Sequence, residues 1–203
     1  MKQEYLMIEK LLLESLNYVA PVSHNRETSS IIFTNIIRSS ANLYEKVSSK
    51  LLHDLFDNSI KNVNIFSYLS LEYYLMLTEQ DIESYILSND LIYDIKCNQF
   101  GKLHEWDKNS KLNDSSLVPK WWNAYNKIKH NYESINEDGT FINALYSISA
   151  CYVLIRSIYG SGVISGKLIK PETGPDGEII YANLDVEVSK LFFDMNGSFG
   201  FSY

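Results

Sequence analysis

The chain has little of what marks a disulfide-stapled, low-complexity or broadly basic protein. Only two of its 203 residues are cysteine, Cys97 and Cys151. They are far apart and fit neither a metal spacing nor a redox pair, so both read as reduced thiols. Four prolines and nine glycines leave long stretches free for regular structure. Cations number 18 against 25 anions, for a formal net charge of −7. That excludes a surface coated in positive charge for duplex binding, and leaves room for a local basic pocket. An uninterrupted apolar leader is also missing. Glu4, Glu9, Lys10 and Glu14 break the first apolar run, so no secretory signal is read there. Phe141 to Ile158 is the most apolar later stretch. Asn143 and several serines interrupt it and Arg156 lies near its end, so on sequence it falls short of a membrane span. The expectation is a cytoplasmic protein without membrane association. Repeats and low-complexity segments are absent.

What is present is an ordinary globular composition, 45% hydrophobic and 21% charged. The length suits one domain with an appendage. A helical bundle is expected over residues 1–160, with a β-rich extension over 161–203 packed on it. A first helix reads from about residue 3 to 19. Leu6, Ile8, Leu11, Leu12, Leu16 and Val19 form its apolar face, with the acids opposite. A second runs from Thr28 to Phe56 on a stripe of Phe33, Ile37, Tyr44, Val47, Leu51 and Leu55. Arg38 and Glu45 share one flank of that stripe and read either as a structural ion pair or as groups lining a cleft. A third helix is expected from Val63 to Met76. Ile82–Leu87 and Leu91–Ile95 fit short strands or helical turns equally. Gln99–Ser116 is polar and irregular. His104, Glu105 and Asp107 there lack further ligands at useful spacing, so no metal and no cofactor are expected. Phe141, Leu145, Ile148, Tyr152, Ile155 and Tyr159 give a helix apolar around most of its girth, which belongs in the middle of a bundle. After Gly160-Ser161-Gly162 the helical period stops. Ile180, Ala182, Leu184, Val186 and Val188 alternate with polar residues as a half-buried strand does. Val163–Ile169 is its expected hairpin partner, and Leu191–Asp194 and Phe199–Tyr203 are expected edge strands.

Most side-chain chemistry is concentrated in Val118–Tyr132. Pro119 suits a first helical turn. Trp121, Tyr125, Ile128 and Tyr132 fall on one face, and His130 lies nearly opposite with Asn126, Asn123 and Lys127 on its side. Asn126 and His130 are i, i+4 neighbours. That polar side reads as a solvated helix face, or as one wall of a cleft or of a contact with a second subunit.

The run from Trp121-Trp122 to Tyr125-Asn126-Lys127-Ile128-Lys129-His130 resembles proteins of the HEPN superfamily. So do the early helix with Arg38 and Glu45 and the apolar helix after the motif. HEPN proteins are helical bundles of bacterial toxin–antitoxin, abortive-infection and other defence systems. The resemblance implies a mainly α bundle of four to five helices, here with a small C-terminal antiparallel β element. It also implies a homodimer whose two motif helices form one cleft, binding RNA or a nucleotide, with metal-independent RNA cleavage in the catalytic members. By that correspondence His130 and Asn126 are the catalytic pair. Lys127, Lys129, Trp122, Tyr125, Arg38 and Glu45 bind substrate. The motif is degenerate: the arginine position reads Tyr125, which carries no fixed positive charge for a developing phosphorane. The alternative is a non-catalytic dimerisation or protein-interaction module that works with a protein partner of the same system.

Overall fold

The computed structural model describes residues 1–56, 63–75, 77, 82–84, 86–100, 117–131, 135–159, 172–173, 179–180 and 189–192. Within them the chain is mainly helical. Its elements are α1 (Lys2–Ser15), a 3-10 turn (Ser23–Asn25), α2 (Ile31–Phe56), α3 (Ile65–Tyr74), α4 (Asn89–Asn98), α5 (Lys120–His130), the single-turn α6 (Ile135–Asp138) and α7 (Phe141–Tyr159). Six of these helices have ten residues or more. The bundle exceeds the expected four or five because Leu91–Ile95, ambiguous in sequence, folds within α4. The stretch with His104, Trp106 and Asp107 lies outside the described residues, as do Tyr132 and most of the expected tail strands. In the tail, β1 (Glu172–Thr173) pairs antiparallel with β2 (Ile179–Ile180), Glu172 opposite Ile180. Of the strand read from sequence over Ile180–Val188, only Ile180 lies among the described residues. Leu191 and Phe192, expected to begin an edge strand, sit in irregular chain.

Helix α7 is the centre. Phe141, Leu145, Ile148, Tyr152 and Ile155 are all fully buried, and α2 packs along it. Its Ser147 and Ser149 hydroxyls donate to the carbonyls of Ala144 and Tyr146, 2.9 Å each, so burying them leaves no bare donor. The Cys151 thiol points across to the Ser40 carbonyl of α2 at 3.2 Å, and burial keeps it protonated. The window Phe141–Ile158 has a mean hydropathy of 1.4 and is long and apolar enough to cross a membrane, contrary to the sequence reading. In this fold 83% of that window is buried inside the protein, as a bundle's core helix must be.

Capping explains where α2 and α3 begin. Ser30 precedes α2, and its Oγ accepts from the Phe33 N–H at 3.1 Å. This places the start at Ile31, three residues after the sequence estimate. Asn64 does the same for α3, its Oδ1 accepting from Phe66 and Ser67 at 3.0 and 3.3 Å. Ser30→Ala should cost about 1 kcal/mol, read as a lower urea midpoint with an unchanged m-value.

Helix α1 departs from the sequence reading in phase. Its buried residues are Tyr5, Ile8, Glu9, Leu12 and Ser15, while Met7 and Leu11 stay 70% and 43% exposed. Glu9 is therefore not among the outer acids. Its carboxylate accepts from the Tyr5 hydroxyl at 3.0 Å, from the Lys190 and Leu191 backbone N–H groups at 3.0 and 3.1 Å, and from the Ser189 hydroxyl. Burial, then the Glu9 charge, holds the Tyr5 hydroxyl protonated well above the usual phenol range. Leu191 and Phe192 are buried beside this latch, with Phe192 5.4 Å from the Tyr152 ring. A short piece of the C-terminal region is thus fastened to the first helix.

Candidate functional site

Helix α5 behaves as its periodicity predicts. Trp121, Ala124, Tyr125 and Ile128 are buried, and Asn126, Lys127, Lys129 and His130 are exposed. The buried face is wider than expected because it also takes in Trp122, 4% exposed. The Trp121 indole N–H donates to the Gln99 carbonyl at 2.8 Å. Trp121 and Trp122 stand edge-on to each other and to Tyr44, with centroids 5.4–5.9 Å apart. Tyr68 and Tyr125 complete the cluster around Trp122. Trp122 and Tyr125 are core residues here, and neither offers a free ring face for stacking a base. The faces are taken because five aromatic rings converge between α2, α3 and α5.

The remaining expected residues divide. Lys129 lies with its Nζ 5.5 Å from the Tyr125 ring centroid, a cation–π contact at the surface. Lys127 pairs with Asp138 at 3.1 Å, the lysine 63% and the aspartate 13% exposed. Arg38 reaches from α2 and donates to the Ile128 carbonyl at 3.1 Å. That carbonyl is among the last four of α5, which lack intrahelical partners, so the guanidinium caps the negative end of the helix dipole. Arg38 and Glu45 form no ion pair with each other. Glu45 lies instead near the Tyr68 hydroxyl. The structure therefore brings Arg38 to the last turn of α5, where His130 sits, and leaves Glu45 elsewhere.

A polar groove of about 300 Å³ runs along α5, and sequence reasoning did not assemble it. Lys120, Asn123 and Lys127 form its α5 wall, and Arg26, Asp138 and Asn143 stand opposite. His130 follows Asn123 by seven positions and Lys127 by three, which continues the same helical stripe past the groove. Arg26 comes from a segment far away in sequence, held in place by backbone pairing with the chain before α7. Ser29 bridges Thr140, Ser30 N–H donates to Gly139 at 3.0 Å, and Phe141 and Ile142 donate back to Thr28 and Arg26 at 2.8 and 3.0 Å. The Arg26 guanidinium contacts Asp94 at 2.5 Å and the Tyr146 hydroxyl at 3.5 Å. Burial and Asp94 keep that hydroxyl protonated. The groove walls carry Arg26, Lys120 and Lys127 against Glu27 and Asp138, and Asp94 on the Arg26 guanidinium brings the local charges to balance in a chain of net charge −7. Helix α5 itself contains three lysines and His130 and no acid.

Such a surface can bind an anion and can offer an imidazole for proton transfer. Among the described residues no group of three or more His, Cys, Asp or Glu is placed to hold a metal ion. Comparison with protein-family models, curated proteins and solved structures finds no match for the chain.

Proposed function

We propose that the exposed face of α5 and its groove bind the phosphate backbone of RNA or a nucleotide, in a HEPN-like cytoplasmic protein of a bacterial defence or stress system. The observation that carries the proposal is the exposed row Asn126, Lys127 and His130 on a helix that holds three lysines and no acid. Phosphate contacts supply most of the affinity of such surfaces, and they need cations at the surface rather than a basic protein overall. In the catalytic form of the proposal His130 moves the proton, because imidazole alone titrates near neutrality. Asn126, one turn earlier, orients the ring or holds a phosphate oxygen. Tyr125 is a core residue, so the charge for the transition state comes from Lys127, Lys129 or the Arg38 guanidinium, whose hydrogen bond to a carbonyl leaves its charge intact. The tail strands read from sequence complete the proposed architecture as a C-terminal β element.

The alternative is a binding module without chemistry. The Lys127–Asp138 pair favours it, since a lysine held by a carboxylate is partly neutralised before any phosphate arrives. An RNA-binding titration across salt concentrations, with a cleavage assay in chelator, separates the two. Lys120→Ala, Lys127→Ala and Lys129→Ala should each weaken binding several-fold and lower the salt slope by about 0.7. His130→Ala should abolish cleavage and leave binding and melting temperature unchanged. Binding without cleavage by wild type selects the module. Cleavage that survives in His130→Ala rules out the proposed chemistry. Failure to bind RNA or nucleotides at low salt refutes the whole reading.

A further inference from the structure

A more apolar groove, of about 630 Å³ and separate from the one at α5, lies between α1 and α2. Ile8 and Leu43 are buried at 6% and 2% and form its floor, while Met7 and Leu11 project from its wall at 70% and 43% exposure. An i, i+4 pair of large apolar side chains in water beside an apolar floor has the form of an unfilled contact. None of the residues lining this groove lines the groove at α5.

The charges around Met7 identify the occupant. Glu4 precedes it by three positions and Lys10 follows it by three. We propose that α1 docks antiparallel against α1 of a second copy, with the two-fold axis at Met7. About that axis residue i comes level with residue 14 − i, so Glu4 of each copy stands level with Lys10 of the other. The arrangement is self-complementary, as an isologous interface requires. A register centred two residues further on would set Glu4 against Glu14 of the second copy, and like charges disfavour it. The present partners of these groups lie at the surface, the N-terminal ammonium of Met1 at 3.2 Å from Glu4 among them. Lys10 is 3.9 Å from Glu14 and Glu4 is 2.8 Å from Lys46, all four side chains near half exposed or more, and such surface pairs hold each other weakly. In the docked pair Glu4 lies between Lys46 of its own chain and Lys10 of the other, and Met7 and Leu11 leave water.

The test is a charge-swapped pair of full-length chains, one carrying Lys10→Glu and the other Glu4→Lys. Copies of the first repel through Glu4 and the new acid, and copies of the second through Lys10 and the new base. A mixture regains both attractions. Sedimentation at low salt should give a wild-type particle of about twice the 23.4 kDa chain mass. Each variant alone should dissociate at least tenfold more readily, and the mixture should pair one to one. Met7→Asp should prevent pairing while keeping the wild-type helical circular dichroism, because Met7 has no core contact to lose. A wild-type particle of single-chain mass up to 100 µM overturns the proposal, and so does pairing that ignores Lys10→Glu or a mixture that stays apart. His130→Ala should leave pairing unchanged, so this result is independent of the RNA-binding test.

Discussion

Trp121→Ala is expected to remove about 3–5 kcal/mol of stability, the range for truncating a fully buried large aromatic. Trp121 has no exposed surface. Its loss would open a cavity between α2 and α5, strip the Tyr44 ring of an edge contact at 5.4 Å, and leave the Gln99 carbonyl without its indole donor. A domain of this size has about 5–15 kcal/mol in total, so the variant should melt many degrees lower or fail to accumulate. Trp121→Phe separates the effects. It keeps most of the ring volume and loses the hydrogen bond, so it should cost about 1–3 kcal/mol. Urea unfolding followed by circular dichroism measures both. Equal stability of Trp121→Ala and wild type would mean that the aromatic cluster is not a core.

Glu9→Ala should be the other large loss. It takes the carboxylate acceptor from the backbone N–H groups of Lys190 and Leu191, at about 1–3 kcal/mol for each group left unsatisfied. The segment avoids that cost by leaving, which gives up the burial of Leu191 and Phe192, at about 1.5–3 kcal/mol each. Either way the loss is roughly 2–6 kcal/mol, and the readout differs from that of Trp121. Proteolysis near residues 189–192 should accelerate before global unfolding. Glu9→Gln should lie between, because one amide oxygen can keep part of the set. Unchanged proteolysis in Glu9→Ala would show that Phe192 alone holds the segment.

Much of this fold was legible wherever periodicity was long. The stripes of α2 and α7 run over 26 and 19 residues, and long stripes average out single exceptions. The split of α5 into a buried face and an exposed His130 face followed from the same rule. Two kinds of feature were illegible. In α1 the acid at position 9 looked like its neighbours Glu4 and Glu14, and only its place four residues after Tyr5 and three before Leu12 marks it as inward. Its ligands come from residues 189–191, which local patterning cannot foresee. Arg26 reached the α5 groove through the pairing of Ser29 with Thr140, again a long-range contact. Trp122 is a substrate-binding residue only by the family resemblance, and its neighbours Trp121 and Asn123 do not mark it as inward. The clustering of Tyr44, Tyr68 and Tyr125 about it was visible only in three dimensions.

The latch also sets an order of events during synthesis. Glu9 and Ser189 are 180 positions apart. At the usual pace of elongation, about 5–20 residues per second, roughly ten to forty seconds pass between making one and making the other. Over that interval α1 cannot settle on α7 without burying a carboxylate that only the Tyr5 hydroxyl serves, so the helix waits as an open face of the nascent bundle. Its seal arrives only when the chain has grown by those 180 residues.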